Sequence, residues 1–246
     1  MTFALLVVAG FAAGLTGTIA GLASLVSYPA LLAAGLPPVA ANVTNTVALL
    51  SNSFGAVLGS RPELEGHWRR ALQFAAVSAL GGALGGALLL WTPSAAFEKL
   101  VPFLIAAASI AILVRRPGEV RTLEGRPGVP TLFSIFLIGI YGGYFGAAAG
   151  VLMLAVLLAI GTGTLARAGA YRNLVLGAAN GVAAIGFALF GPVVWSAALP
   201  LALGFFVGGR IGPIVARRAP SDALRVVIAL AGIGLAGWLA VDAFGR

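Results

Sequence analysis

The chain contains no cysteine, which excludes a disulfide framework and any thiolate metal site. Charge is almost as scarce. Only 9% of its 246 residues are charged, against about 25% in an ordinary soluble domain, and 60% are hydrophobic, with a mean hydropathy of +1.05. A water-soluble globule is excluded. Acidic residues number seven and histidine one. Glu98 and Asp242 fall near the ends of apolar runs and His67 lies in a charged loop, so no acid or imidazole is expected deep in an apolar segment. Ser24, Ser51 and Ser53 therefore lack a base to activate them, and an enzyme is not expected. The same absence removes the usual groups of proton relays and sodium sites, although backbone carbonyls can serve. No metal and no cofactor are expected.

What the chain does have is a series of long apolar runs, the material of helical spans of about 20 residues. Barrel strands would instead show short alternation. The expected fold class is an all-α polytopic membrane protein. The net charge of +8 comes with arginines in or beside the short gaps between runs, as in cytoplasmic loops, so it reads as topology and not as nucleic-acid binding. The opening run has no basic flank and carries part of a repeated glycine pattern, which reads as structure and not as a cleaved signal.

That pattern organises the chain. Gly10, Gly14, Gly17 and Gly21 recur 129 positions later as Gly139, Gly143, Gly146 and Gly150. Asn45 and Asn52 recur at a shift of 128 as Asn173 and Asn180, and Gly81, Gly82, Gly85, Pro93 and Ser94 recur at 127 as Gly208, Gly209, Gly212, Pro220 and Ser221. The chain reads as two copies of one unit. The first repeat covers residues 1–114, with an uncharged segment at 3–36 and spans at 41–60, 71–91 and 97–114. A hydrophilic linker covers 115–129. The second repeat covers 130–246, with its opening segment at 130–160 and spans at 170–190, 193–216 and 222–244. Segment 3–36 is long for one span and short for the roughly 40 residues of two. It is expected to be a broken hairpin of two short helices, bent between Gly17 and Ser24 and ended by Pro37 and Pro38.

Arginine fixes an expected orientation. Arg61, Arg69 and Arg70 mark one loop as cytoplasmic, Arg115, Arg116, Arg121 and Arg126 mark the linker, and Arg217 with Arg218 mark a third site. The gaps near Thr92 and Gly191 carry none. All five are satisfied if each hairpin returns to the side it entered from, with both termini outside and the linker inside. The two repeats are then inverted, an architecture in which interrupted helices meet near the midplane and form the substrate site of many secondary transporters.

Asn45 and Asn52 lie seven residues apart on one helical face, as do Asn173 and Asn180. Four amides are expected to converge on the axis, as interhelical glue or as substrate contacts. Asn42 has no counterpart amide. The hairpin tips at Gly21 and Gly150 offer helix N-termini, whose free N–H groups hold anions without a buried charge; glycine stripes also serve close packing. Arg172 adjoins Asn173 and Arg210 lies seven residues before Arg217. Snorkelling to the interface is the plainer reading of Arg172, and Arg210 snorkels or lines a cavity. The glycine faces at 81–86 and 204–212 pack within one chain or in a homodimer.

The glycine-spaced opening from Gly14 to Gly21, Pro29, the turn Gly35-Leu36-Pro37-Pro38, the asparagine-bearing span after it, and Gly208-Gly209-Arg210-Ile211-Gly212 leading to Pro220-Ser221 together resemble the sulfite exporter TauE/SafE family of membrane transporters. The likeness covers nearly the whole chain. It departs at the tips, with Ile19-Ala20-Gly21-Leu22 at the first and Ala147-Ala148-Ala149 at the second. The resemblance implies export of sulfite or sulfonate-like anions across the cytoplasmic membrane. On this expectation the substrate-binding set is Asn45, Asn52, Asn173, Asn180, Gly21, Gly150, Arg172 and Arg210, and the partners are a small anion and the lipid bilayer. A passive channel or a structural subunit is the alternative.

Overall fold

A computed structural model of the chain describes residues 2–114, 128–216 and 221–244. The described residues are helices joined by short turns, with no strand among them. The linker arginines and the pair Arg217 and Arg218 lie outside the described residues, as do residues 115–127 of the expected linker; Gly128 and Val129 already belong to the entry of the next helix.

The first half opens with α1 (Thr2–Ala20), which stops where Gly21 turns left-handed at φ +79°. A side chain there would be strained, so glycine sets the break. The N–H of Gly21 bonds to the Gly17 carbonyl at 2.8 Å, and α2 (Ala23–Ala33) begins two residues on. Gly35, at φ +90°, and Pro37 end α2 and start α3 (Pro38–Gly59). A single turn α4 (Arg61–Leu64), then α5 (Trp68–Trp91) and α6 (Ser94–Val114), complete the half. The second half runs α7 (Val129–Tyr144), α8 (Ala149–Ala159), α9 (Leu165–Phe190), α10 (Trp195–Ala216) and α11 (Ser221–Phe244). Its break contains Gly146 at φ +73° and Ala148 at φ 56°.

The breaks fall where the glycine spacing predicts, but the limbs are unequal. α1 has 19 residues and its Phe3–Ala20 stretch is apolar and long enough to cross a membrane alone. α2 and α8 have 11 residues each, about 16 Å of helix, which is half of a hydrocarbon core about 30 Å thick. Trp68–Trp91, Leu165–Phe190 and Trp195–Ala216 also have the length and composition of spans. The expected polar loop at 61–70 is partly helical, because Leu64 is fully buried beside Ala168 and Tyr171 of α9 and pulls α4 onto the bundle.

Glycines let the halves interlock. Gly10 and Gly14 of α1 meet the backbone of α10 at Leu201, Phe205 and Gly208, while Gly204 and Gly208 of α10 meet α1 in return. Gly139 and Gly143 of α7 meet Ser78 and Gly82 of α5 in the same manner. Small residues allow this approach, and in lipid the resulting van der Waals contact is a main source of helix association. The glycine faces of α5 and α10 are thus consumed inside the chain. α3 also packs on α10, α9 on α5, α3 on α9 and α6 on α11. Exchanging the halves maps each of these pairings onto another or onto itself. Large apolar side chains such as Leu80, Phe103 and Leu199 face outward, at 68%, 61% and 62% exposure, as suits a lipid-facing surface and not a wet one.

Candidate substrate site between the two breaks

The breaks meet. A Cβ built on Gly21 would lie 2.7 Å from the carbonyl carbon of Gly150, and one built on Gly150 would lie 2.6 Å from Cα of Gly21. Beside this contact is a cavity of about 60 Å³, lined from both halves by Gly17 and Gly146, by Gly21 and Gly150, and by Asn52 and Asn180. Each of these is a pair at a shift of 128 or 129. Ala23 and Ser24 at the start of α2, and Ala149 with Gly150 at the start of α8, also reach the wall. Neither helix start has a side-chain cap; the N–H groups of Leu25, Ala149 and Val151 bond to carbonyls of their own turns, and Ala23, Ser24 and Gly150 of the two first turns line the cavity.

The two amides are available. Asn52 on α3 and Asn180 on α9 are each 7% exposed, and neither side chain makes a hydrogen bond among the described residues. A buried amide without a partner is costly unless something else supplies one.

Arg172 supplies the charge. It is 2% exposed and turned inward onto the cavity, so it does not snorkel. Its Nη2 donates to the Thr18 carbonyl near the end of α1 at 2.5 Å and to Oδ1 of Asn173 at 3.1 Å, and Nε also donates to Asn173 at 3.4 Å. Asn173 in turn donates to Oγ of Ser60 at 3.3 Å and lines the cavity. No carboxylate pairs with Arg172 among the described residues. A buried guanidinium that lacks a counter-ion among the described residues, beside two helix starts without side-chain caps and two free amides, is an environment for an anion.

Six of the eight residues singled out in the sequence thus surround one cavity: Gly21, Gly150, Asn52, Asn173, Asn180 and Arg172. Asn45 does not. It is 1% exposed behind the wall, where its Nδ2 donates to Ser24 at 3.1 Å and its Oδ1 accepts from Ser27 at 2.5 Å. Arg210 is exposed on α10 and only its backbone is engaged, against Gly55 and Gly59 of α3.

The profile of the family described as Sulfite exporter TauE/SafE matches residues 6–239. The chain belongs to the TauE/SafE family. It is 31% identical over 242 residues to the probable membrane transporter protein ORF9 of Sinorhizobium sp, covering 97% of this chain and 92% of that one. It is 26% identical over 237 residues to the probable membrane transporter protein YfcA of Escherichia coli (strain K12), covering 95% and 88%. A probable membrane transporter protein of Haemophilus influenzae is 27% identical over 212 residues, covering 85% and 83%. No solved structure matches. The chain is a multi-pass membrane transporter of the TauE/SafE family.

Some residues at this TauE/SafE cavity had no distinct signal in the sequence. Ser24 and Ser53 line the wall and Ser60 steadies Asn173. Serine is common in membrane helices, and only the position of Ser24, three residues after Gly21, hints at its place. The Thr18 carbonyl is a backbone group and is invisible to residue type. Asn42, which has no counterpart amide, donates to the carbonyl of Tyr144 at 2.9 Å and so caps the end of α7.

Proposed function

We propose that this chain exports a small sulfur oxyanion, sulfite or a short sulfonate, from the cytoplasm by alternating access at the cavity between the two breaks. The observation that carries the reading is Arg172, a buried cation with no acid beside it, facing a space that two helix N-termini and two unpartnered amides share. Sulfite offers three oxygens to such donors. Asn52 and Asn180 hold it by neutral hydrogen bonds, which keep binding strong enough to load and weak enough to release. The protein acts as a carrier, in keeping with the transporter names of its relatives.

The repeats lie inverted in the cytoplasmic membrane, with both termini outside and the linker inside. The counterpart helices α3 and α9 run antiparallel, with Gly177 against Ser53, Gly181 against Leu50 and Gly191 against Val43, which supports the inversion. An interior-negative potential then drives an anion outward with about 2.3 kcal/mol per charge per 100 mV, and a divalent ion with twice that. No coupling ion is needed. Thermal-shift measurements on purified protein against sulfite, sulfate, thiosulfate and small sulfonates test the reading, since a ligand of the folded state raises the melting temperature. Sulfite or a sulfonate should raise it in a saturable manner. No shift with any of them would overturn the assignment.

A further inference from the structure

The carbonyls of a helix's last turn have no partner within the helix. At the end of α1 the local N–H groups go elsewhere: Gly21 bonds to Gly17 and Leu22 to the Thr16 carbonyl. The Thr18 carbonyl takes its donor from the other half of the molecule, from Nη2 of Arg172. This end of α1 carries the negative pole of the helix dipole, worth roughly half a charge. It is the nearest thing to a counter-ion that Arg172 has among the described residues.

We propose that Arg172 is a substrate-binding residue that switches between two acceptors. With the cavity empty it caps α1 through Thr18; an arriving anion takes those hydrogen bonds and frees the end of the helix. The proposal rests on the reading of the cavity as an anion site. A full charge in the same space outcompetes half a charge at a carbonyl. The handover has a first step ready, since Nη1 makes no hydrogen bond among the described residues while Nε and Nη2 are engaged. Asn173 keeps the guanidinium plane in place during the exchange, and Ser60 keeps Asn173 in place.

The device is built once. The corresponding end of α7 is tied by neutral groups, with Asn42 donating to the Tyr144 carbonyl and the Tyr141 hydroxyl to the Ala147 carbonyl at 2.7 Å. Neither cap carries a charge that an anion can draw away. At a shift of 128 the counterpart of Arg172 is Thr44, whose Oγ1 accepts from the Val194 N–H at 3.0 Å. Anion binding therefore loosens the first hairpin, and the second stays as it is. An empty carrier is held in this arrangement, and a loaded one is released to move.

Hydrogen exchange of the full chain in nanodiscs, read by mass spectrometry over residues 17–22 and 144–150, tests the switch. Sulfite at saturating concentration should raise exchange at 17–22 several-fold while leaving 144–150 unchanged. In Arg172→Lys, which keeps the charge but cannot span both Thr18 and Asn173, exchange at 17–22 should already be high without sulfite and change little on its addition. If Arg172→Lys does not fold, the wild-type pair of measurements decides alone. A raised melting temperature with unchanged or lowered exchange at 17–22 overturns the switch and leaves the anion site standing. No effect of sulfite on either quantity overturns both.

Discussion

Gly21 and Gly150 touch backbone to backbone across the two halves, each occupying the space where the other's side chain would begin. Gly21 also has φ +79°, which costs an L-residue roughly 1–2 kcal/mol. Gly21→Ala should therefore lower the melting temperature by several degrees or prevent recovery of monodisperse protein, and Gly150→Ala should do so through the clash alone. Gly186 and Gly234 are the controls, since a Cβ there meets nothing within 4 Å. Alanine at either should be neutral or stabilising by up to about 1 kcal/mol. Equal effects at all four positions, in a thermal-unfolding comparison, would contradict the packing.

Asn45 and Asn52 share a helix and a face in the sequence but differ in surroundings. Asn52→Ala and Asn180→Ala should each weaken sulfite binding about ten- to hundred-fold, because a hydrogen bond to a charged group is worth about 1.5–3 kcal/mol, and both should remain folded. Asn45→Ala removes the amide from both Ser24 and Ser27, leaving Ser27 only the Ala23 carbonyl, and should cost about 1–3 kcal/mol of stability. Titration calorimetry beside thermal unfolding separates the two outcomes. Unchanged affinity in Asn52→Ala and Asn180→Ala would remove both from the site.

The two arginines are expected to part in the same way. Arg172→Gln should lose about 100-fold or more in affinity, as when one partner of a buried charge pair is removed. Arg210→Ala should bind sulfite like the wild type, since Arg210 is exposed and outside the cavity. Comparable losses in both variants would mean that the cavity is not where the anion sits.

Much of this was legible. The left-handed turn at Gly21 needs glycine, so the first break announces itself, and paired asparagines at a constant shift mark α3 and α9 as equivalent. What differs between Asn45 and Asn173 lies on the preceding helix of each half. Ser24 and Ser27 face Asn45 and hold it behind the wall, while their counterparts at a shift of 129 are Met153 and Val156, so Asn173 takes Ser60 and Arg172 as partners instead and stays at the cavity. The inward turn of Arg172 was hidden for a related reason. Its acceptor is a main-chain carbonyl at a helix end, a group that every residue possesses and that becomes special only when the helix breaks there.

The absence of cysteine makes orientation directly measurable. Ser94→Cys lies at the start of α6, next to the arginine-free gap, and Glu65→Cys in the arginine-bearing loop before α5. An impermeant thiol reagent added to intact cells should label the first and spare the second until the membrane is opened. Labelling of both, or of Glu65→Cys alone, would overturn the proposed topology.

The most direct test of anion export is flux from proteoliposomes loaded with sulfite, with a potassium diffusion potential imposed and no proton or sodium gradient. Efflux should saturate with sulfite, accelerate as the interior becomes more negative, and collapse in Arg172→Gln. Flux that needs a proton or sodium gradient at fixed voltage, or that Arg172→Gln leaves intact, would contradict the account.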